Sequence, residues 1–165
     1  FSHKALIDRP GEEGADLMVN AYGAHQLYGG PLFVMDFGTA TTLSKIDSEG
    51  NFCGVAIAPG MNLSAEALFQ AAAGLPRLSF AKPNKLIGTN TLDSVRSGLF
   101  WGYLGLIEGL IERAQEEAGF KSHVPVIATG GLGALFVQHT SMISVYDGHL
   151  TLKGLNLLYG QSLIV

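Results

Sequence analysis

Cysteine is nearly absent from this sequence. Cys53 stands alone in 165 residues, which excludes an internal disulfide and fits a reducing compartment. Its place in an apolar segment leads us to expect a buried, unreactive thiol. Charge is scarce as well: Asp, Glu, Lys and Arg make up 15% of the residues, and the net charge is −4. Without a basic excess the chain lacks the electrostatic footprint of a nucleic-acid binder. No apolar run is long enough to span a bilayer, since the longest candidate, Leu99 to Ile111, is short and carries Glu108. The opening Phe1-Ser2-His3-Lys4 has no apolar core of signal-peptide length. These absences predict a cytoplasmic protein with neither membrane nor nucleic acid as partner. The five histidines have no partner at i+3 or i+4 and no flanking cysteines, which argues against zinc. A nucleophile elbow, a Walker lysine loop and a dinucleotide Gly-x-Gly-x-x-Gly are all missing.

Apolar residues, by contrast, form 47% of the chain, enough for one well-filled core. The most informative stretch is Val34-Met35-Asp36-Phe37-Gly38-Thr39-Ala40-Thr41-Thr42. Leu32 to Met35 reads as a buried strand ending on a carboxylate. Leu43 to Ile46 alternates like a half-buried return strand, and Phe52 to Ala58 adds a third after the turn Asp47–Asn51. Gly38 and Thr39 then fall at the tip or edge of a hairpin, where backbone N–H groups and hydroxyls can donate to phosphate oxygens. Asp36 offers a hard oxygen ligand to a cation.

The remaining elements follow from pattern. Ala5–Asp8 is a plausible short strand. Leu17, Met18, Ala21, Ala24 and Leu27 have helical spacing, which puts Asp16 at a helix N-terminus. There it could serve as an N-cap, or as a carboxylate able to take a proton from a substrate hydroxyl. Met61 to Gly74 is expected to be helical with Asn62 or Ser64 as cap, and a longer helix should run from Thr91 to about Glu117 with Asn90 or Thr91 as cap. Gly98, Gly102, Gly105 and Gly109 share one face of the long helix, which predicts close packing against a neighbour. Val124–Ala128 is a further strand leading into the turn Thr129-Gly130-Gly131-Leu132-Gly133, a weak nucleotide signal taken alone. Met142–Val145 is a last strand, followed by a closing helix from Leu150 to Tyr159. This order predicts an α/β layer structure with a mixed sheet.

Three groups of residues now carry a family resemblance: Asp36-Phe37-Gly38-Thr39-Ala40-Thr41-Thr42 with Gly14-Ala15-Asp16 before it and Ile57-Ala58-Pro59-Gly60 after it; Ile87-Gly88 with Thr91, Ser94, Ser97 and Gly98; and Thr129-Gly130-Gly131. Jointly and in this order they resemble type III pantothenate kinase. The resemblance implies an actin-like, ribonuclease-H-like fold. It also implies transfer of the γ-phosphoryl group of ATP to pantothenate, the first step of coenzyme A biosynthesis. A homodimer, a monovalent cation (potassium or ammonium) and a divalent metal (magnesium) come with it. By this resemblance Gly14, Ala15, Asp16 and Leu17 fall on the substrate motif, with Asp16 as catalytic base. Thr91 falls on a substrate-binding threonine, Asp36 on the monovalent-cation ligand, and Gly38 and Thr39 on the ATP site. Gly130 and Gly131 form the turn near the adenosine.

Two departures stand out. Leu17 replaces the family's arginine, and losing such a charge-assisted contact costs about 1.5–3 kcal/mol, or about ten- to a hundredfold or more in binding. The family's N-terminal domain with its Asp-x-Gly-Asn-Thr phosphate loop has no counterpart in these residues. Residues 1–30 are therefore expected to be the end of a first domain or an interdomain segment, and 31–165 the C-terminal domain. The 165 residues alone are expected to be inactive. A non-catalytic nucleotide- or pantothenate-binding regulator is the alternative, and a related small-molecule kinase with another acceptor is a third reading.

Overall fold

The computed structural model describes residues 4–72, 75, 79–119 and 123–162. The element order is α1 (Ala15–Tyr28), β1 (Leu32–Phe37), β2 (Ala40–Ile46), β3 (Phe52–Pro59), α2 (Met61–Ala71), α3 (Thr91–Ala118), β4 (Val126–Thr129), α4 (Gly133–Phe136), β5 (Val145–Tyr146) and α5 (Leu150–Ser162). The five strands form one sheet in the order β3-β2-β1-β4-β5. β1, β2 and β3 pair antiparallel, whereas β4 runs parallel to β1 and β5 parallel to β4. This is the mixed α/β sheet that the pattern predicts.

Strand alternation assigns the two faces. Phe33, Met35 and Phe37 of β1 pack with Phe100, Tyr103, Leu104, Ile107 and Ile111 of α3 and with Phe136 of α4. Leu32 and Val34 point the other way, into a second cluster with Leu17, Ala21 and Ala24 of α1 and Leu150 of α5. Asp36 continues the even-numbered series and so lies on the α1 side. There α1 and α5 cross at very short range, because a Cβ on Gly23 would sit 2.9 Å from the Gly154 Cα.

Several boundaries differ from the sequence reading. Gly14, not Asp16, is the N-cap of α1, and no side chain caps it. Gly60 takes that place for α2, in which Asn62 and Ser64 lie inside the helix near its start. Asn90 does cap α3, accepting from the Asp93 amide at 2.9 Å. The segment expected as a first strand, Ala5–Asp8, makes only an isolated bridge from Ala5 to Phe52. The last strand begins at Val145, because the Ser144 hydroxyl accepts from the Val126 amide and Ile143 turns into the core. Ala73 and Gly74, expected to end α2, lie outside the described residues. Cys53 is half-buried on β3, near the sheet's edge, rather than sealed in the core. Gly98, Gly102 and Gly105 are exposed, with nothing within 4 Å of a Cβ at any of them. Among the described residues, then, the glycine face of α3 meets no close neighbour there.

Asp147 locks β5 to α1 and α5. Its Oδ2 accepts from Tyr28 at 2.8 Å and from Lys153 at 2.7 Å, and its Oδ1 accepts from the His149 amide at 3.1 Å. Burial raises the carboxyl, but the hydrogen bonds from Lys153, Tyr28 and His149 outweigh it and hold the group below the ordinary carboxylate range. A depressed folded-state pKa stabilises above the unfolded value, and that stabilisation is lost as pH falls through the folded one. Asp147→Asn is therefore expected to cost about 1–3 kcal/mol at neutral pH, and the deficit should shrink in acid. Urea denaturation of both proteins at neutral and acidic pH checks this; an undiminished deficit in acid would mean that charge is not what Asp147 contributes.

Candidate active site

Asp36, Gly38, Thr39, Gly130 and Gly131 gather at the C-terminal ends of the parallel strands β1 and β4, the usual location for ligands in such sheets. Asp36 is the penultimate residue of β1, paired laterally with Thr42 on β2 and Thr129 on β4. Directly after β1, Gly38 and Thr39 make the turn into β2, closed by the Gly38 amide donating to the Ala40 carbonyl at 3.1 Å. The Pro59-Gly60 turn lies against this hairpin tip: the Gly60 amide donates to the Thr39 carbonyl at 3.1 Å. Any side chain at Gly60 would strike the Thr39 and Gly38 carbonyls. Gly60, although remote in sequence, thus shapes the same turn.

β4 delivers its own turn to the same place. Gly130 has φ +91°, and a Cβ there would sit 2.6 Å from both Asp36 Oδ1 and the Phe37 carbonyl oxygen. Only glycine tolerates that conformation and that approach together. Tyr146 of β5 fixes the turn from behind, its hydroxyl donating to the Gly130 carbonyl at 3.0 Å. Between the two turns and α2 opens a cleft of about 600 Å³, lined by Phe37, Gly38, Thr39, Asn62, Leu63, Glu66, Gly131 and Leu132. Its walls combine exposed backbone at two glycine turns with an apolar shelf from Leu63 and Leu132, a surface suited to a nucleotide.

Asp36 is half-buried. Burial pushes its carboxyl up; the hydrogen bond from Asn20 lowers it, and the negative charge of Asp16 raises it again. The Asp16 charge therefore lies close enough to act on Asp36. It is exposed in the first turn of α1, where its Oδ1 accepts from the Leu17 amide at 3.0 Å. A Cβ on Gly14 would come within 2.5 Å of that oxygen, so a larger residue there would require the exposed Asp16 carboxylate to swing aside. Ala15 is exposed beside it, whereas the Leu17 side chain turns inward to the core. Leu17 thus offers a ligand no side-chain contact in this structure. Thr91 is exposed at the start of α3 and does not line the cleft with Thr39 and Gly131. Near it lies a separate cavity of about 320 Å³ bordered by Lys82, Lys85, Gly88, Asp93 and Arg96.

Among the described residues, no group of three or more His, Cys, Asp or Glu could hold a metal ion. The donors at Asp36 suit a single hard cation better. Oδ2 is engaged by Asn20, and the Gly130 cradle leaves Oδ1 and the Phe37 carbonyl facing one small space. The buried Thr42 hydroxyl, directly across the ladder, has no hydrogen-bond partner among the described residues. One carboxylate with carbonyl and hydroxyl oxygens is the donor chemistry of such an ion.

Comparison with known proteins accords with this geometry. The type III pantothenate kinase family matches residues 2–113. The chain belongs to that family. Its similarity to the type III pantothenate kinase of Paramagnetospirillum magneticum is 55% identity over 150 residues, covering 91% of this chain and 57% of the relative. For the Rhodospirillum rubrum enzyme of the same name the identity is 53% over 157 residues, covering 95% of this chain and 60% of the relative. The chain thus spans less than two thirds of the length of these family members. Among solved structures it resembles a conserved Baf-family protein from Campylobacter jejuni, with a TM-score of 0.62 and 18% identity over 97% of this chain and 71% of the other. It also resembles the activator of 2-hydroxyisocaproyl-CoA dehydratase from Clostridium difficile, solved with bound ADPNP, with a TM-score of 0.53 and 9% identity over 96% of this chain and 72% of the other. These two likenesses concern the fold, and they agree with the actin-like architecture expected for the family.

Two residues that the sequence pattern does not single out are brought to Asp36 by the fold. Asn20 reads in sequence as a polar interruption in an amphipathic helix, although it falls one turn after Asp16 and so on the same face. Thr42 carries no role of its own in the motif; its signal is the alternation that puts it on Asp36's side of the sheet.

The contrast between adjacent glycines gives a direct check. Gly130→Ala should cost about 1–3 kcal/mol of stability, because both its φ and its contact with Asp36 are violated. Gly131→Ala, with nothing within 4 Å of the added Cβ, should stay within about 0.5 kcal/mol of the unaltered protein. Denaturant titration measures both; equal costs would mean that the approach of Gly130 to Asp36 is not a constraint.

Proposed function

We propose that this chain is the C-terminal portion of a type III pantothenate kinase and forms one wall of the cleft in which ATP phosphorylates pantothenate to 4'-phosphopantothenate, opening coenzyme A synthesis. The observation that carries this reading is the convergence of Asp36, the Gly38-Thr39 hairpin and the Gly130-Gly131 turn at the C-terminal ends of β1 and β4, with the charge of Asp16 acting on Asp36. Residues 31–165 would constitute the ribonuclease-H-like domain, and residues 1–30 bring in the substrate motif on α1. The other wall, with its phosphate loop, belongs to the length of the relatives that this chain does not span.

In this reading, Thr39 and the backbone of Gly38 meet the phosphates, and Gly130 and Gly131 lie flat near the adenosine. Gly14 and Ala15 leave room for the acceptor beside Asp16, with Thr91 as a further acceptor contact. Asp36, the Phe37 carbonyl and Thr42 would hold a potassium or ammonium ion, whose charge offsets that of the phosphates. Magnesium would arrive with ATP. As the acceptor hydroxyl oxygen bonds to the γ-phosphorus, Asp16 takes its proton, the bond to the β-phosphate bridging oxygen breaks, and ADP leaves. Phosphoryl transfer asks little more of a protein than this positioning and charge neutralisation.

The acceptor carboxylate cannot rely on an arginine at position 17, and the core-facing Leu17 is the feature that favours the second reading, a non-catalytic nucleotide- or pantothenate-binding regulator. We also infer a homodimer in the cytoplasm. The exposed stripe Gly98-Gly102-Gly105, flanked by partly buried Leu99 and Trp101, supports a close helix contact with a second copy. No described helix is long and apolar enough to cross a membrane.

Asp16 separates the readings. Because Asp16 is not the N-cap of α1, Asp16→Asn in the natural full-length protein should leave the melting temperature and ATP binding unchanged. The transfer rate should fall about 10²–10⁴-fold, the usual worth of a positioned base. Single-turnover kinetics with pantothenate, alongside calorimetric ATP binding, measures both. Full activity in the variant would remove Asp16 from the mechanism.

A further inference from the structure

The amide of Asn20 is held between two partners from different parts of the chain. Its Nδ2 donates to Asp36 Oδ2 at 2.9 Å, and its Oδ1 accepts from the Thr151 hydroxyl at 2.7 Å. Asn20 is 1% exposed, so neither end of the amide can turn to water without opening the core between α1, β1 and α5. A buried amide in such a place must have both ends satisfied.

We propose that Asn20 is the positioning residue for Asp36, and that Thr151 braces the far end of its amide. A carboxylate can only accept, so the amide is useful to Asp36 only when its NH₂ group points there. The carboxylate thus sets the orientation of the amide, and Thr151, by donating to the carbonyl end, satisfies that end and holds the amide in place. With Oδ2 tied to Asn20, the Asp36 carboxyl plane is fixed and Oδ1 is left facing the cradle at Gly130. The chain Thr151–Asn20–Asp36 links the first turn of α5 through the middle of α1 to the end of β1. It passes one helical turn below Asp16, so a single face of α1 sets both carboxylates. Neither Asn20 nor Thr151 touches a reactant in this arrangement; both act through Asp36.

The inference rests on the reading of Asp36 as the monovalent-cation ligand, and the test distinguishes the two. Thermal unfolding of the natural full-length protein is followed while potassium chloride replaces choline chloride at constant ionic strength, and the potassium concentration at half-maximal stabilisation is read out. For Asn20→Ala this midpoint should rise about ten- to a hundredfold, as is usual when the group orienting a metal ligand is lost. Thr151→Val, which keeps the shape and removes the hydroxyl, should raise it several-fold, and Thr151→Ser should restore it. Should Asn20→Ala not fold, the valine and serine pair at position 151 carries the test. Variants that melt earlier but keep the unaltered midpoint would overturn the proposal, since packing alone would then account for Asn20 and Thr151. An unaltered protein indifferent to potassium would overturn the reading of Asp36 as cation ligand and this proposal with it.

Discussion

A half-buried carboxylate at the end of the central strand is the constraint on which the rest of this structure depends. Asp36 belongs to an alternating series in which Val34 and Phe37 are fully committed to opposite cores, so its direction is fixed by the register of the sheet. Placing a charge there is costly unless donors and counter-charge surround it. The surroundings are accordingly specialised. Asn20 supplies a donor from the helix above, Gly130 yields space that any other residue would fill, and the β1–β2 hairpin bends away immediately afterwards. The same features that make the carboxylate tolerable leave one of its oxygens available to a ligand.

Family membership and fold stand on independent grounds. The family match covers residues 2–113, and relatives near half identity extend it over nine-tenths of the chain. The solved structures share the architecture at low identity. The geometry adds which atoms face the cleft and which do not. Leu17 illustrates the point: it stands at the fourth position of the expected substrate motif, yet its side chain lies in the core, while Gly14, Ala15 and Asp16 are exposed.

Much of this was legible in the sequence because it rests on local patterns. The three-strand meander, the mixed sheet, the Asn90 cap and the glycine turn after β4 all follow from periodicity and turn chemistry. The rest depends on tertiary context. Asn20 meets Thr151 across 131 positions, a pairing that no local window contains. The cap of α1 falls to Gly14 because the helix begins at Ala15, where the Gly14 carbonyl accepts the first helical amides, which leaves Asp16 inside the first turn. The glycine face of α3 satisfies the rule for close packing, yet among the described residues nothing lies within 4 Å of a Cβ at Gly98, Gly102 or Gly105.

The measurement that bears most directly on the central claim is formation of 4'-phosphopantothenate from ATP and pantothenate, followed by phosphorus NMR. The natural full-length protein and the 165-residue chain alone would be compared side by side. The account predicts product from the full-length protein and none from the chain alone, because one wall cannot neutralise the β- and γ-phosphates. Turnover by the chain alone at ordinary kinase rates would contradict the placement of the site, and a full-length protein that binds ATP without forming product would contradict the activity itself.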